Sequence, residues 1–149
     1  MKRVVSGAGL IGLVMLLPTC GGDDPADGGS VEEVAGFRIV EGSTTRFEWI
    51  EGDNAAADTL NLTHSMNMTV RFEWLDGARA VANVPDDAEL EVAISNSGAA
   101  EFIPDDSQPW RGTFDPGPFT DIETAMRVRL LDDGDTLFAS PLLQLHVSP

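Results

Sequence analysis

Hydrophobic and polar residues alternate with a period of two along most of the chain after Val34. The alternating runs include Phe37–Ile39, Phe47–Trp49, Leu90–Ile94, Met126–Leu130 and Leu143–Val147. Such alternation is typical of β-strands that bury one face and expose the other. Turn-forming residues separate the runs, as at Asp76-Gly77 and Asp133-Gly134. The pattern therefore predicts an all-β fold, an antiparallel β-sandwich formed by residues 34–149.

The longest alternation extends from Leu60 to Trp74, with apolar residues or His64 at the even positions. One strand of this length would extend for about 50 Å, whereas strands usually have about five or six residues. We therefore expect a break near His64-Ser65, where the chain turns or crosses between the two sheets.

A short sequence occurs twice. Residues 46–52 read Arg-Phe-Glu-Trp-Ile-Glu-Gly, and residues 71–77 read Arg-Phe-Glu-Trp-Leu-Asp-Gly, 25 positions later. Two copies are too few for a solenoid. We interpret them as two strands that end in similar turns, with the aromatic residues facing inward. Their Arg and Glu residues then lie on an outer face, where they can pair with charges across strands.

The N-terminal residues form a different pattern. Lys2 and Arg3 precede an apolar run from Val4 to Leu17, whose length as a helix is about 21 Å, short of a bilayer core of about 30 Å. Leu17-Pro18-Thr19-Cys20 then leads into Gly21-Gly22. Residues 1–24 resemble the signal of bacterial lipoproteins, with Leu17 and Thr19 matching the pattern and Pro18 departing from it.

The lipoprotein resemblance implies a signal peptide at 1–19, cleavage before Cys20 and lipidation of Cys20, which would anchor the protein in a membrane. It places the protein in the bacterial cell envelope. The residue directly after Cys20 is Gly21 and not Asp, which by resemblance to the sorting rules of such lipoproteins implies the outer membrane, with the domain facing the periplasm or the cell surface. Residues 20–33 are rich in Gly and Asp and are interpreted as a flexible acidic linker.

The pattern from Leu60 to Pro149 also resembles bacterial immunoglobulin-like domains. The resemblance rests on Met68–Phe72, Leu90–Asn96, Trp110–Phe114, Met126–Leu130 and Leu143–Val147. The Cys pair and the tyrosine corner of antibody domains are absent from the sequence. The resemblance implies an immunoglobulin-like sandwich of the kind that serves as an adhesive or spacer module. We therefore predict a non-catalytic interaction or structural module whose partner is an unknown envelope protein or glycan.

Charge and composition narrow the function further. The sequence has 9 basic and 25 acidic residues, and seven basic residues remain without Lys2 and Arg3, a balance of 7 − 25 = −18. Such a domain repels phosphate backbones, so no nucleic-acid partner is expected. The single Cys excludes an intramolecular disulfide and a Cys-based zinc cluster. No catalytic motif of a known type is present, so we expect neither an enzyme nor a cofactor.

Two metal sites are alternatives. His64, Met66 and Met68 would share one face of a continuous strand, and imidazole and thioether groups suit copper. The competing interpretation is a core face, since Met fills cores readily. Calcium is the other alternative, with Asp132, Asp133 and Asp135 as ligands at a turn. The turn pairs Asp86-Asp87 and Asp105-Asp106 belong to the same hypothesis. Asp-Gly is also common hairpin chemistry, so a solvated turn is the favoured interpretation.

Glycan binding is a further alternative. Trp49 and Trp74 alternate as core residues do, whereas Trp110 follows Pro109 at the start of a strand. Trp110 is thus the candidate for an exposed ring that stacks on a sugar. The hypothesis requires a neighbouring aromatic residue on the same open face.

Overall fold

Ten β-strands and no helix are present in residues 33–149, the part of the chain that the computed structural model describes. The strands are β1 (Gly36–Glu41), β2 (Thr44–Ile50), β3 (Thr59–Thr63), β4 (Met68–Leu75), β5 (Glu89–Ile94), β6 (Ala100–Pro104), β7 (Arg111–Pro116), β8 (Ile122–Asp132), β9 (Asp135–Ala139) and β10 (Leu143–Ser148). Within this range no helix is long and apolar enough to cross a membrane. The predicted signal peptide, Cys20 and all of the predicted linker except Glu33 lie outside the described residues.

The strands form two sheets of five that enclose a common core. The first sheet has the order β2-β1-β4-β7-β6, and the second has the order β3-β10-β8-β5, with β9 also paired to β8. Neighbouring strands are antiparallel except β3 and β10, which run parallel. The predicted all-β sandwich is therefore confirmed.

The strand order is that of an immunoglobulin-like sandwich. If β1, β4, β5, β6, β7 and β8 are lettered A to F in chain order and β9 with β10 is G, the first sheet contains A-B-E-D and the second contains C-F-G. The strands β2 and β3 are additions at the outer edges of A and G. Strand G is divided at Ser140-Pro141, where proline has no N–H for the ladder. There the Ser140 hydroxyl accepts a hydrogen bond from the Val128 N–H at 3.0 Å.

Every second residue of the central strands in both sheets faces the core. Met126, Val128 and Leu130 of β8 are fully buried, and β10 contributes the alternate residues of 143–147 in the same way. The edge strand β5 differs, because Leu90, Val92 and Ile94 are only partly buried although their alternation is equally regular. Among the described residues no strand pairs with the outer edge of β5, and its apolar residues keep some contact with solvent.

The predicted break in the long alternation is confirmed. Strand β3 ends at Thr63 in the second sheet, and β4 begins at Met68 in the first sheet. Ser65, with a φ of 60°, turns the chain between them. Even-numbered residues of both strands are buried, since the two strands face the same core from opposite sides.

Strand β1 lies between the two copies of the repeated sequence, which form β2 and β4. Arg38 is therefore opposite Glu48 on one side and Glu73 on the other, and its guanidinium contacts the two carboxylates at 2.7 and 3.3 Å. Phe37 likewise lies between Trp49 and Trp74 on the inner face. The inward aromatic residues and the outer charge pairs are confirmed, and the register explains why the two copies match.

Candidate functional site

Four connections lie at one end of the sandwich, since β2 also ends there and β3 runs back from it. We call three of them the loop end: the β4–β5 loop (76–88), the β6–β7 loop (105–110) and the β8–β9 turn (133–134). They share this end because β4, β6 and β8 run towards it and the following strands run back. The carboxylates in and beside these connections are Asp76, Asp86, Asp87, Glu89, Asp105, Asp106, Asp132, Asp133 and Asp135. Most of the predicted turn carboxylates thus gather in one region.

A groove of about 460 Å³ opens at the edge of the loop end, which we call the Trp110 groove. It lies between the start of β5 and the β6–β7 loop. Its lining combines apolar groups with polar and charged groups: Ala88, Leu90, Pro104, Pro109 and Trp110, and Asp86, Glu89, Asp105, Asp106, Gln108 and Arg111. Pockets that bind ligands or peptide side chains commonly join an apolar surface to a few oriented polar groups.

Trp110 has an unusual backbone and a half-buried side chain. Its φ is 67°, in the left-handed region that bulky residues rarely adopt. The ring packs edge-on against Trp74, with centroids 5.8 Å apart and planes at 88°. Its carbonyl accepts a hydrogen bond from the Phe72 N–H at 2.6 Å, which ties this residue to β4. The conformation is therefore held in place by contacts on both the backbone and the ring.

The β6–β7 loop presents an ionised carboxylate to the groove. Asp105 accepts hydrogen bonds from the hydroxyl of Ser107 at 2.6 Å and from its N–H at 2.9 Å. These hydrogen bonds, with a smaller contribution from the Arg111 charge, lower the pKa of Asp105. Arg111 donates from Nη1 to the Gln108 side chain at 2.7 Å. Its buried Nε has no hydrogen-bond partner among the described residues.

The β8–β9 turn has the geometry of a tight hairpin. Asp132 pairs with Asp135 across it, and Asp133 and Gly134 have φ values of 48° and 86°. Both central residues thus have positive φ, which Asp-Gly supplies. Desolvation, followed by repulsion from Asp87, Asp133 and Asp135, raises the pKa of Asp132.

The calcium hypothesis stays a prediction. In residues 33–149, no group of three or more His, Cys, Asp or Glu side chains is placed to hold a metal ion. The carboxylates of the loop end nonetheless outnumber the arginines in and beside it, Arg79 and Arg111, and such an excess attracts cations in general.

The three residues of the copper hypothesis are distributed over the strand break. Met68 is 8% exposed and belongs to the core, whereas Met66 is 64% exposed in the connection between β3 and β4. The His64 imidazole nitrogen Nδ1 lies 3.2 Å from the Gly117 carbonyl oxygen. His64 lines a hollow of about 550 Å³ that includes Glu101 and Asp115 but neither Met. The structure does not bring the three to one face, because their shared parity spans two sheets.

The ring that contacts Trp110 is that of Trp74, which is 2% exposed. The aromatic neighbour that a glycan site requires is therefore present but buried, and Trp110 offers its half-buried ring alone at the groove. Sequence reasoning identified Trp110 and the Asp pairs separately but missed their association, as well as Glu89 and Arg111. The sequence offered one signal of this association, which is that Pro-Asp-Asp occurs both before β5, at 85–87, and before Trp110, at 104–106.

A scan against models of protein families found no match to the chain, and a search of curated proteins found none either.

Proposed function

We propose that the protein is a non-catalytic, lipid-anchored protein of the bacterial cell envelope whose sandwich serves as an interaction module. The anchor is supported by the order of charged, apolar and small residues before Cys20. The interaction role is supported by the acidic loop end and the Trp110 groove.

The left-handed conformation of Trp110 is the observation that carries the interaction role. A bulky residue with positive φ costs about 1–3 kcal/mol, and such residues cluster at functional sites. A glycine at position 110 would avoid this cost, yet the chain has a large aromatic ring there, partly open to a groove. Contacts with Trp74 account for the buried part of the ring, and the part that is open to the groove is available to a partner.

Metabolic labelling with radioactive palmitate tests the anchor. The wild-type protein should incorporate label and remain in the membrane fraction, whereas Cys20→Ala should do neither. Absence of label in the wild type, or equal label in the variant, would contradict lipidation of Cys20.

Site-specific photo-cross-linking in living cells tests the interaction role. A photoreactive residue replaces Asp106 at the groove, and in a matched control it replaces Glu123 at the opposite end, so each variant loses one exposed carboxylate. We expect a discrete adduct from position 106 only. No adduct from position 106, or the same adducts from both positions, would argue against an interaction site at the groove.

A second candidate function is cation binding at the loop end, favoured by the crowding of carboxylates around Asp132. A thermal melt after chelation, with and without Ca²⁺, tests it. An ion at 100 times its Kd stabilises the folded state by about 2.7 kcal/mol. A shift with Ca²⁺ that disappears in Asp132→Asn would support calcium binding at the loop end, and a melt indifferent to Ca²⁺ would remove this candidate.

A further inference from the structure

The Trp110 groove continues into the open edge of β5. Glu89 and Leu90, the first two residues of β5, form part of the groove lining. Among the described strands, β5 pairs only with β8, so the backbone groups on its other edge have no partner strand. An open edge of this kind is a template for another strand. The partly buried Leu90, Val92 and Ile94 show that this flank of the core is incompletely covered.

The charge around this edge selects the occupant. Asp86, Glu89, Asp105 and Asp106 contribute four carboxylates to the groove, against the single guanidinium of Arg111. A second copy paired antiparallel with β5 would place its own carboxylates at the far end of the strand, so it would leave those of the groove without a cation. An acidic segment from another protein would be repelled, whereas a basic segment would be attracted.

The Trp110 ring adds to this preference. An ammonium or guanidinium group over an aromatic face is attracted by the ring quadrupole, and more so where nearby carboxylates accept its hydrogen bonds. The groove is large enough for one long side chain to lie against Trp110 between Glu89 and the β6–β7 loop carboxylates. Strand addition with alternate side chains placed in pockets is a recurring mode of peptide recognition.

We propose that the open edge of β5 and the Trp110 groove together bind an extended, basic segment of a partner protein. The segment adds as a strand beside β5 and places a Lys or Arg side chain on Trp110. This inference rests on the proposed interaction role and names the chemical class of the partner.

Fluorescence anisotropy with defined peptides tests the inference on residues 20–149 carrying Cys20→Ser, which removes the predicted lipid. The probe is a labelled decapeptide of alternating Lys and Thr. One control replaces Lys by Glu, and another keeps the Lys residues but has N-methylated backbone amides on one edge. We expect binding of the first peptide, no binding of the Glu peptide and at least about fivefold weaker binding of the methylated peptide, because its strand hydrogen bonds are lost.

Matched variants locate the site. Asp86→Asn with Glu89→Gln removes two exposed carboxylates at the groove, and Glu101→Gln with Glu123→Gln removes two exposed carboxylates at the opposite end. The first pair should weaken binding by about fivefold, and the second by less than about twofold. Far-ultraviolet circular dichroism establishes that each variant remains folded.

Equal losses in the two double variants, or tight binding of the methylated peptide, would show attraction to net charge alone and would overturn the inference. Absence of binding by the Lys peptide at low ionic strength would overturn it too. If one of these results is obtained but the photoreactive residue at position 106 still gives a discrete adduct in cells, the interaction role stands and only the partner class is wrong. If the cross-link is also absent, the proposed interaction role fails with it.

Discussion

Replacement of Trp110 by Gly and by Ala gives two variants whose order of stability tests the left-handed backbone directly. Both variants lose the edge-on contact with Trp74. An aromatic pair of this kind contributes about 0.5–1.5 kcal/mol beyond the burial of its area. They differ in the backbone, because a φ of 67° costs Ala about 1–2 kcal/mol and costs Gly little. We therefore expect Trp110→Gly to be more stable than Trp110→Ala by about 1 kcal/mol.

Gln144 provides the control. It is exposed on β10, within the second sheet, and its φ is not positive. At an ordinary strand position Gly is less stable than Ala by about 0.5–1 kcal/mol. Gln144→Gly should therefore be the less stable of its pair, so the Gly–Ala order reverses between the two sites.

Urea denaturation of the four variants, followed by circular dichroism, measures the differences in the free energy of unfolding. Thermal melts provide a second measure, since 1 kcal/mol shifts the Tm of a domain of this size by about 4 °C. If Trp110→Ala is as stable as Trp110→Gly while the Gln144 pair shows the ordinary order, the left-handed conformation is wrong, and with it the argument that Trp110 is retained at a cost.

Three further predictions follow from burial, charge and close packing. Met68→Ala should lower the free energy of unfolding by about 2–4 kcal/mol in urea denaturation, whereas the exposed Met66→Ala should change it by less than about 0.5 kcal/mol; equal effects would contradict their opposite burial. The hydrogen bond from Arg38 lowers the pKa of Glu48, so this carboxylate contributes stability above its unfolded pKa and loses it as pH falls through the folded value. The free energies of unfolding of the wild type and Glu48→Gln should thus differ by about 1 kcal/mol at pH 6, and the difference should shrink as pH falls below the unfolded pKa of Glu48; a difference that is constant with pH would refute the ion pair. Gly36→Ala would place a Cβ 2.3 Å from the Trp49 carbonyl oxygen and 2.6 Å from the Ile50 Cα, so it should cost at least about 2 kcal/mol in the same assay; a neutral effect would show that β1 and β2 are not in this register.

The class of fold followed from local patterns in the sequence. The period of two shows which face of each strand is buried, and turn residues show where each strand ends. A sandwich was therefore predictable without knowledge of which strands pair. The break at His64-Ser65 was predictable for a related reason, because a strand as long as Leu60–Trp74 exceeds what sheets of this size contain. The repeated sequence indicated inward aromatic residues and outer charges, since parity alone determines both.

Tertiary structure decided the rest, because periodicity does not encode which strands are neighbours or which loops share an end. The two copies of the repeat flank β1 only through the sheet order, and this places Arg38 between Glu48 and Glu73. His64, Met66 and Met68 share a parity but are separated by the crossover between sheets. The Trp110 groove joins β5 to the β6–β7 loop, which are neighbours only across the sandwich. The half-exposure of Leu90, Val92 and Ile94 likewise arises from the edge position of β5, a property of the sheet as a whole and of no residue within the strand.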